Sequence, residues 1–231
     1  MDLALIAPLP LFRGLGEEAL RELLPALRAR VRAYPRGAFI LRAGEETAWM
    51  GAVLSGGVNI QLEDAWGSQS VLSHVGPGGM FAETYACLPG QPLLVSAAAA
   101  RDSRVLLLNA QALLDPDGPA PALVTANLLR ISMRKNLELS RRILHTAPKT
   151  IRGRLLSYLS EQALLAGSPR FIIPFDRQQL ADYLGVDRSA LSHQLSLLRR
   201  EGVLSCRGSS FSLAPSPAGA GTCNPPENPV K

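Results

Sequence analysis

FDRQQLADYLGVDRSALSHQLSLLRREGVL, residues 175–204, sets two short helices around one glycine. Asp176 can cap a first helix over 177–184, with Leu180, Ala181 and Leu184 turned inward, and Gly185 then supplies a tight turn. Asp187 can cap a second helix over 188–201, in which Leu191, Leu195 and Leu198 repeat at helical spacing and Arg199 and Arg200 stand at the carbonyl pole. Two short helices joined through a glycine turn make a helix-turn-helix, whose second helix enters the major groove of DNA. Outside the leucine stripe lie Arg188, Ser189, Ser192 and His193. Arginine can bond guanine O6 and N7, and serine and histidine reach base edges or phosphates, so this face suits base reading. Arg177, Gln178 and Ser196 are placed to hold phosphates. After Gly202, VLSCRGSSFSL alternates about a turn and predicts a small β wing. Either helix alone would read as an ordinary packed helix with a solvated face; caps, glycine turn, leucine stripe, basic end and wing together point to DNA.

Charge agrees with that placement. The 231 residues are 47% hydrophobic and 19% charged, with a net charge of +5. Residues 1–120 carry 9 basic against 12 acidic side chains, 121–147 carry 5 against 1, and 148–214 carry 9 against 5, so the basic half is the second half. No apolar run approaches the roughly 18 residues of a membrane span, and the start, MDLALIAPLPLF, lacks a basic leader. A cytoplasmic protein with no membrane partner is expected. Cys87, Cys206 and Cys223 are too scattered for a disulfide framework or a zinc site.

Upstream, GEEALRELLPALRAR predicts a helix over 16–30. From Tyr34 to about residue 110, short runs (AFIL, GAVLSGGVNIQL, SVLSHV, LLVSAAAA, RVLLL) alternate with glycine-rich breaks, the rhythm of a small β domain. DPDGPAP, residues 115–121, breaks the chain, and a helix from Ala122 to about Thr146 follows. Val124, Leu128, Ile131, Leu139 and Ile143 fall on one side of it, and Ala126, Leu129, Met133, Leu137 and Leu144 nearly opposite. One face can lie on the β domain; a second copy of the same helix is the economical cover for the other, which predicts a homodimer. A fully buried helix in a larger monomer is disfavoured by Arg130, Arg134, Lys135, Arg141 and Arg142. A helix over about 149–166 and the strand-like FIIPF lead into the helix pair, and the tail from Pro215 has a disordered composition.

With PRGAFILRAGE, GAVLSGGVNI and GPGGMFAE added to residues 175–204, the chain resembles the Crp/Fnr family over nearly all of residues 10–213. The resemblance implies an α+β protein: a cyclic-nucleotide-binding-like double-stranded β-roll over 1–120, a dimerisation helix over 121–147, a winged helix-turn-helix over 148–214 and a tail over 215–231. It implies a dimeric, sequence-specific transcription factor on an approximate inverted repeat, whose roll senses an effector. Contact with RNA polymerase goes with that role and leaves no readable motif. The family's recognition positions fall on Arg188, Ser189, Ser192 and His193, with His193 where members commonly carry arginine. The family's phosphate cassette falls on Ala82 and Glu83 and, ten residues on, on Leu93 and Leu94. Two leucines cannot clamp a phosphate, so a cyclic nucleotide is not the expected effector.

Glu83 is left with two readings, bonding a ligand hydroxyl or bonding loop amides. A small apolar or aromatic effector between roll and long helix, touching Phe81, Glu83, Leu93, Leu94 and Leu128, fits the leucines better; no cofactor is assigned. The cysteine set of iron-sulfur members is absent, and His74 and Cys87 are poor candidates for haem. A metal-dependent cupin needs clustered His and Glu, whereas His74, His145 and His193 lie in three parts of the chain. A ligand-binding adaptor whose helix pair contacts protein is the second alternative.

Overall fold

The computed structural model describes residues 2–63, 69–115, 118 and 121–214. Helices α1 (Leu3–Ile6) and α2 (Glu17–Ala26) precede strands β1 (Arg30–Tyr34), β2 (Phe39–Leu41), β3 (Trp49–Ser55), β4 (Val58–Glu63), β5 (Gln69–Val75) and β6 (Met80–Phe81). Then come α3 (Glu83–Cys87), β7 (Ser96–Ala99), β8 (Ser103–Asn109), α4 (Ala110–Leu114), the long α5 (Ala122–Thr146) and α6 (Ile151–Ala166). The chain closes with β9 (Arg170–Ile172), α7 (Arg177–Leu184), α8 (Arg188–Arg200), β10 (Leu204–Arg207) and β11 (Ser210–Leu213). It divides into two compact units, Met1–Lys135 and Asn136–Lys231, with the boundary inside α5.

In the first unit two antiparallel sheets, ordered β1-β8-β3-β6 and β2-β7-β4-β5, form the roll. Strand β8 shows why its sequence is a continuous apolar run rather than an alternation. Val105 and Leu107 point between the sheets with Val53, Val58 and Phe81, while Leu106 and Leu108 point outward to a helical layer with Met50, Leu20, Leu24 and Phe12. Buried on both faces, the run from Val105 to Leu108 leaves no polar position between Arg104 and Asn109. The helical layer also holds Val124 and Leu128 of α5, with Ile131 partly buried against it.

Three expectations are corrected. The helix expected over 16–30 ends at Ala26, because Arg28 takes a left-handed conformation (φ 50°) and the chain is extended again from Arg30. The roll accordingly starts at β1, before the expected Tyr34. Leu139 and Ile143, expected to share the covered face of the long helix with Val124 and Leu128, are exposed instead, as are Leu129, Met133, Leu137 and Leu144. The disorder expected from Pro215 lies outside the described residues. Among those residues, no helix is long and apolar enough to cross a membrane.

The second unit packs α6, α7 and α8 on a three-stranded sheet ordered β10-β11-β9. Its core joins Leu155 and Leu159 of α6, Leu180 and Leu184 of α7, Leu191, Leu195 and Leu198 of α8, and Phe171 and Phe211 of the sheet. The last turn of α5 belongs to this unit. His145, 3% exposed, sets Nδ1 2.9 Å from the Tyr183 hydroxyl and Nε2 2.9 Å from Glu161, which also pairs with Arg141 at 3.2 Å. Burial, with Tyr183 and Glu161 nearby, pushes the Tyr158 phenol above its ordinary range, so this packed aromatic group stays neutral.

Candidate nucleic-acid interface

The helix pair is fixed at each end by short-range bonds. Asp176 accepts from the Gln179 amide at 2.8 Å while the Gln179 side chain accepts from the Asp176 amide at 2.9 Å, a reciprocal cap that starts α7. Gly185 ends it at φ 62°, a left-handed conformation that glycine adopts without steric cost. The carbonyls left at this C-terminus receive two arginines. Arg154 donates to Leu184 and Gly185 at 3.1 and 3.2 Å, and Arg142 donates to Tyr183 and Asp182, both at 3.2 Å. The turn between the helices is therefore held from α6 and from the end of α5. Asp187 then caps α8, accepting from the Ser189 and Ala190 amides at 2.8 and 3.0 Å and from the Ser189 hydroxyl. The Ser189 hydroxyl first, and then these amides, hold its carboxyl below the usual carboxylate range.

With Leu191, Leu195 and Leu198 locked inward, the other side of α8 has one direction left. Arg188, Ser189, Ser192, His193 and Ser196 are all exposed, on the face expected from sequence. The serine protons are spent inside the helix: Ser192 donates to the Arg188 carbonyl at 2.9 Å and Ser196 to the Ser192 carbonyl at 3.0 Å. These serines offer lone pairs outward, and Arg188 supplies the fixed donors.

Arg177 and Gln178, expected to hold phosphates, both have partners within the unit. The Arg177 guanidinium lies 5.3 Å over the Phe211 ring and 3.4 Å from the Cys206 sulfur, so it braces the wing. Gln178 donates to Asp182 at 2.8 Å along its own helix. Exposed cations are found elsewhere: Arg199 and Arg200 border a shallow notch with Ser196, and Arg207 is exposed beside the wing turn. Sequence reasoning gave Arg199 and Arg200 only a helix-end role, although their spacing from Ser196 puts them on the next turn of the same face. Arg154 also donates to the Pro148 carbonyl at 2.9 Å, and its role at the turn left no local signal because Leu184 and Gly185 stand 30 and 31 residues away.

The expected effector residues do not converge. Phe81 is buried between the two sheets, its ring so close to Gly51 that any Cβ there would overlap it at 2.2 Å. Leu128 belongs to the helical layer on the outer face of the sheet, Leu93 is buried, and Leu94 is 72% exposed. Glu83, 5% exposed, accepts from no loop amide among the described residues; Lys135 of α5 donates to it at 2.6 Å. Burial, and then the Glu83 charge, raise the Cys87 thiol above its ordinary value, so it stays protonated.

Against known proteins, residues 31–115 match the cyclic nucleotide-binding domain and residues 153–213 the Crp-like helix-turn-helix domain. A cyclic nucleotide-gated potassium channel of Mesorhizobium japonicum is 35% identical over 105 residues, 46% of this chain and 27% of the channel. The chain thus spans about a quarter of that curated relative's length. Among solved structures, CprK complexed with OCPA gives a TM-score of 0.60 at 18% identity, covering 85% of this chain and 89% of that one. The c-di-GMP responsive regulator CLP of Xanthomonas campestris gives 0.54 at 20% identity, covering 87% of this chain and all of that one, at 100%. At these identities the likeness is one of fold.

Proposed function

We propose, from the premise that the chain belongs to the Crp/Fnr family of DNA-binding transcription regulators, that it works as a homodimer reading an approximate inverted repeat. The observation that carries this reading is the solvent-facing row Arg188, Ser189, Ser192 and His193, held in place by the Asp187 cap and the buried leucines beneath it. In a dimer, two such helices about 34 Å apart meet successive major grooves on one side of the duplex. Arg188 and His193 would donate to purine edges and the serines accept from base amino groups. Arg199, Arg200 and Arg207 would lie along the phosphates.

Dimerisation is supported by the apolar side chains that α5 leaves exposed, Leu129, Met133, Leu137, Leu139, Ile143 and Leu144. A row of that length on a 25-residue helix suits a second copy of the helix. Control by a small-molecule effector between the roll and α5 is part of the same reading, as a shift between two populations with different affinity for DNA. Leu93 and Leu94 offer no partner for a phosphate, so an effector without one is favoured.

The test is selection of duplexes from a random pool by the purified, effector-free protein, with light scattering to fix its oligomeric state. An inverted-repeat consensus bound by a dimer supports the reading. A monomer at micromolar concentration, or binding blind to sequence both alone and after a small-molecule screen, overturns it.

A further inference from the structure

One ionised cluster in the first unit is used neither by the helix pair nor by the dimer stripe. It begins at Ala82, a residue with a Cβ held at φ 61°, where the chain turns from β6 into α3. Side chains rarely occupy that conformation without compensation nearby. The next residue, Glu83, exposes 6% of its side chain, and its Oε2 has no hydrogen-bond partner among the described residues. Its Oε1 is held by the Lys135 ammonium at 2.6 Å, and the same ammonium donates to the Met80 carbonyl at 2.7 Å. A single cation from α5 thus ties both ends of the Met80–Glu83 turn across the left-handed residue. It reaches there from a residue 52 positions along the chain.

We propose that Lys135 is the positioning residue through which the roll holds the long helix in its DNA-binding state, and that this internal ion pair does so without a bound ligand. The proposal rests on the reading of the chain as a DNA-binding dimer. A carboxylate buried this deeply needs a counter-charge, and Lys135 supplies the ammonium that reaches it. Releasing Lys135 would leave the carboxylate uncompensated, so opening the turn and freeing this part of α5 are one event. Lys135 is the last residue of the first unit, and the helix runs on from it unbroken to Thr146. A change at the turn therefore enters the helix where it leaves the roll. The unpartnered Oε2 leaves the pair half-satisfied, as suits a latch that can open.

The experiment uses the full chain as wild type, Lys135→Met, Glu83→Gln, the double variant and Lys135→Arg, each titrated against the selected operator and a random duplex at one salt concentration. Each charge-removing single variant is expected to lose about tenfold in operator affinity, the double to lose no more than the worse single, and Lys135→Arg to stay near wild type. Random-duplex binding is expected to stay unchanged. Amide hydrogen exchange, which needs no DNA, should rise together in segments 80–87 and 128–135. Single variants that bind the operator like wild type, losses that multiply in the double, or exchange rising in one segment alone would overturn the proposal. If Lys135→Met fails to fold, Glu83→Gln, which keeps the shape and removes the charge, decides the matter. A wild-type protein that selects no DNA defeats the regulator reading instead, and the exchange measurement still judges the latch.

Discussion

Replacing Arg200 or Arg177 with alanine separates cations that face outward from cations spent on the fold. Arg199, Arg200 and Arg207 are exposed, whereas Arg177 lies against Phe211 and Cys206, and Arg154 on the carbonyls of the α7 turn. With Arg188 given to bases, the three exposed arginines at the end of α8 and at the wing turn are assigned to phosphates, six per dimer. Each phosphate neutralised contributes about −0.9 to the slope of log affinity against log salt, so the wild-type slope should be roughly −5. Raising salt from about 50 to 200 mM should then weaken operator binding on the order of a thousandfold. Arg200→Ala removes two contacts per dimer and should flatten the slope by about 2. Arg177→Ala should leave the slope nearly unchanged while lowering the melting temperature, since it unfastens the wing from α7. Fluorescence anisotropy on a labelled operator at four salt concentrations measures all three slopes. A wild-type slope shallower than about −2, or an Arg177→Ala slope as flat as that of Arg200→Ala, would refute this division of the arginines.

The exposed stripe of α5 gives a second expectation: Leu137→Glu sets like charges against each other in a dimer, so light scattering at micromolar concentration should show a monomer and operator affinity should collapse, while a persisting dimer places the interface elsewhere. A third concerns pH. Hydrogen bonds hold the Asp187 carboxyl below its ordinary 3.8 in the folded protein, so its ionised form favours folding at neutral pH and that contribution fades as pH falls through the folded-state value. The gap in melting temperature between wild type and Asp187→Ala should be steady from about pH 7 to 5 and close toward about pH 3; a gap that widens on acidification contradicts the cap.

How much of this was legible in the sequence follows from the range of each interaction. The helix pair could be read closely because Asp176, Gly185, Asp187 and the leucines at 191, 195 and 198 act within one or two turns of where they stand. Strand β1 carries no clear sequence signal, because Arg30 to Tyr34 lies at a sheet edge, pairs with β8 alone among the described residues and mixes arginines with small residues. Helix α3 is five residues long, too short to show a period. The partners of Glu83, Arg154 and His145 lie on other elements, up to 52 residues away, where no local pattern points. Helical phase alone puts Leu139 and Ile143 with Val124 and Leu128, and phase carries on past the point where the roll stops covering the helix.

The boundary inside α5 has a bearing on how such a chain could be rebuilt. Lys135 is bonded to the roll, and Arg142 and His145 are bonded to α6 and α7, all on one uninterrupted helix. Deleting a single residue between them would turn everything beyond it by about 100° and draw it in by about 1.5 Å. A chimaera joining a foreign sensor to this reading head should therefore splice within the helix after Lys135, keeping its phase, and carry residues 141–146 along with the head they are bolted to. Joining at the break around Pro148 would leave those bolts on the wrong partner.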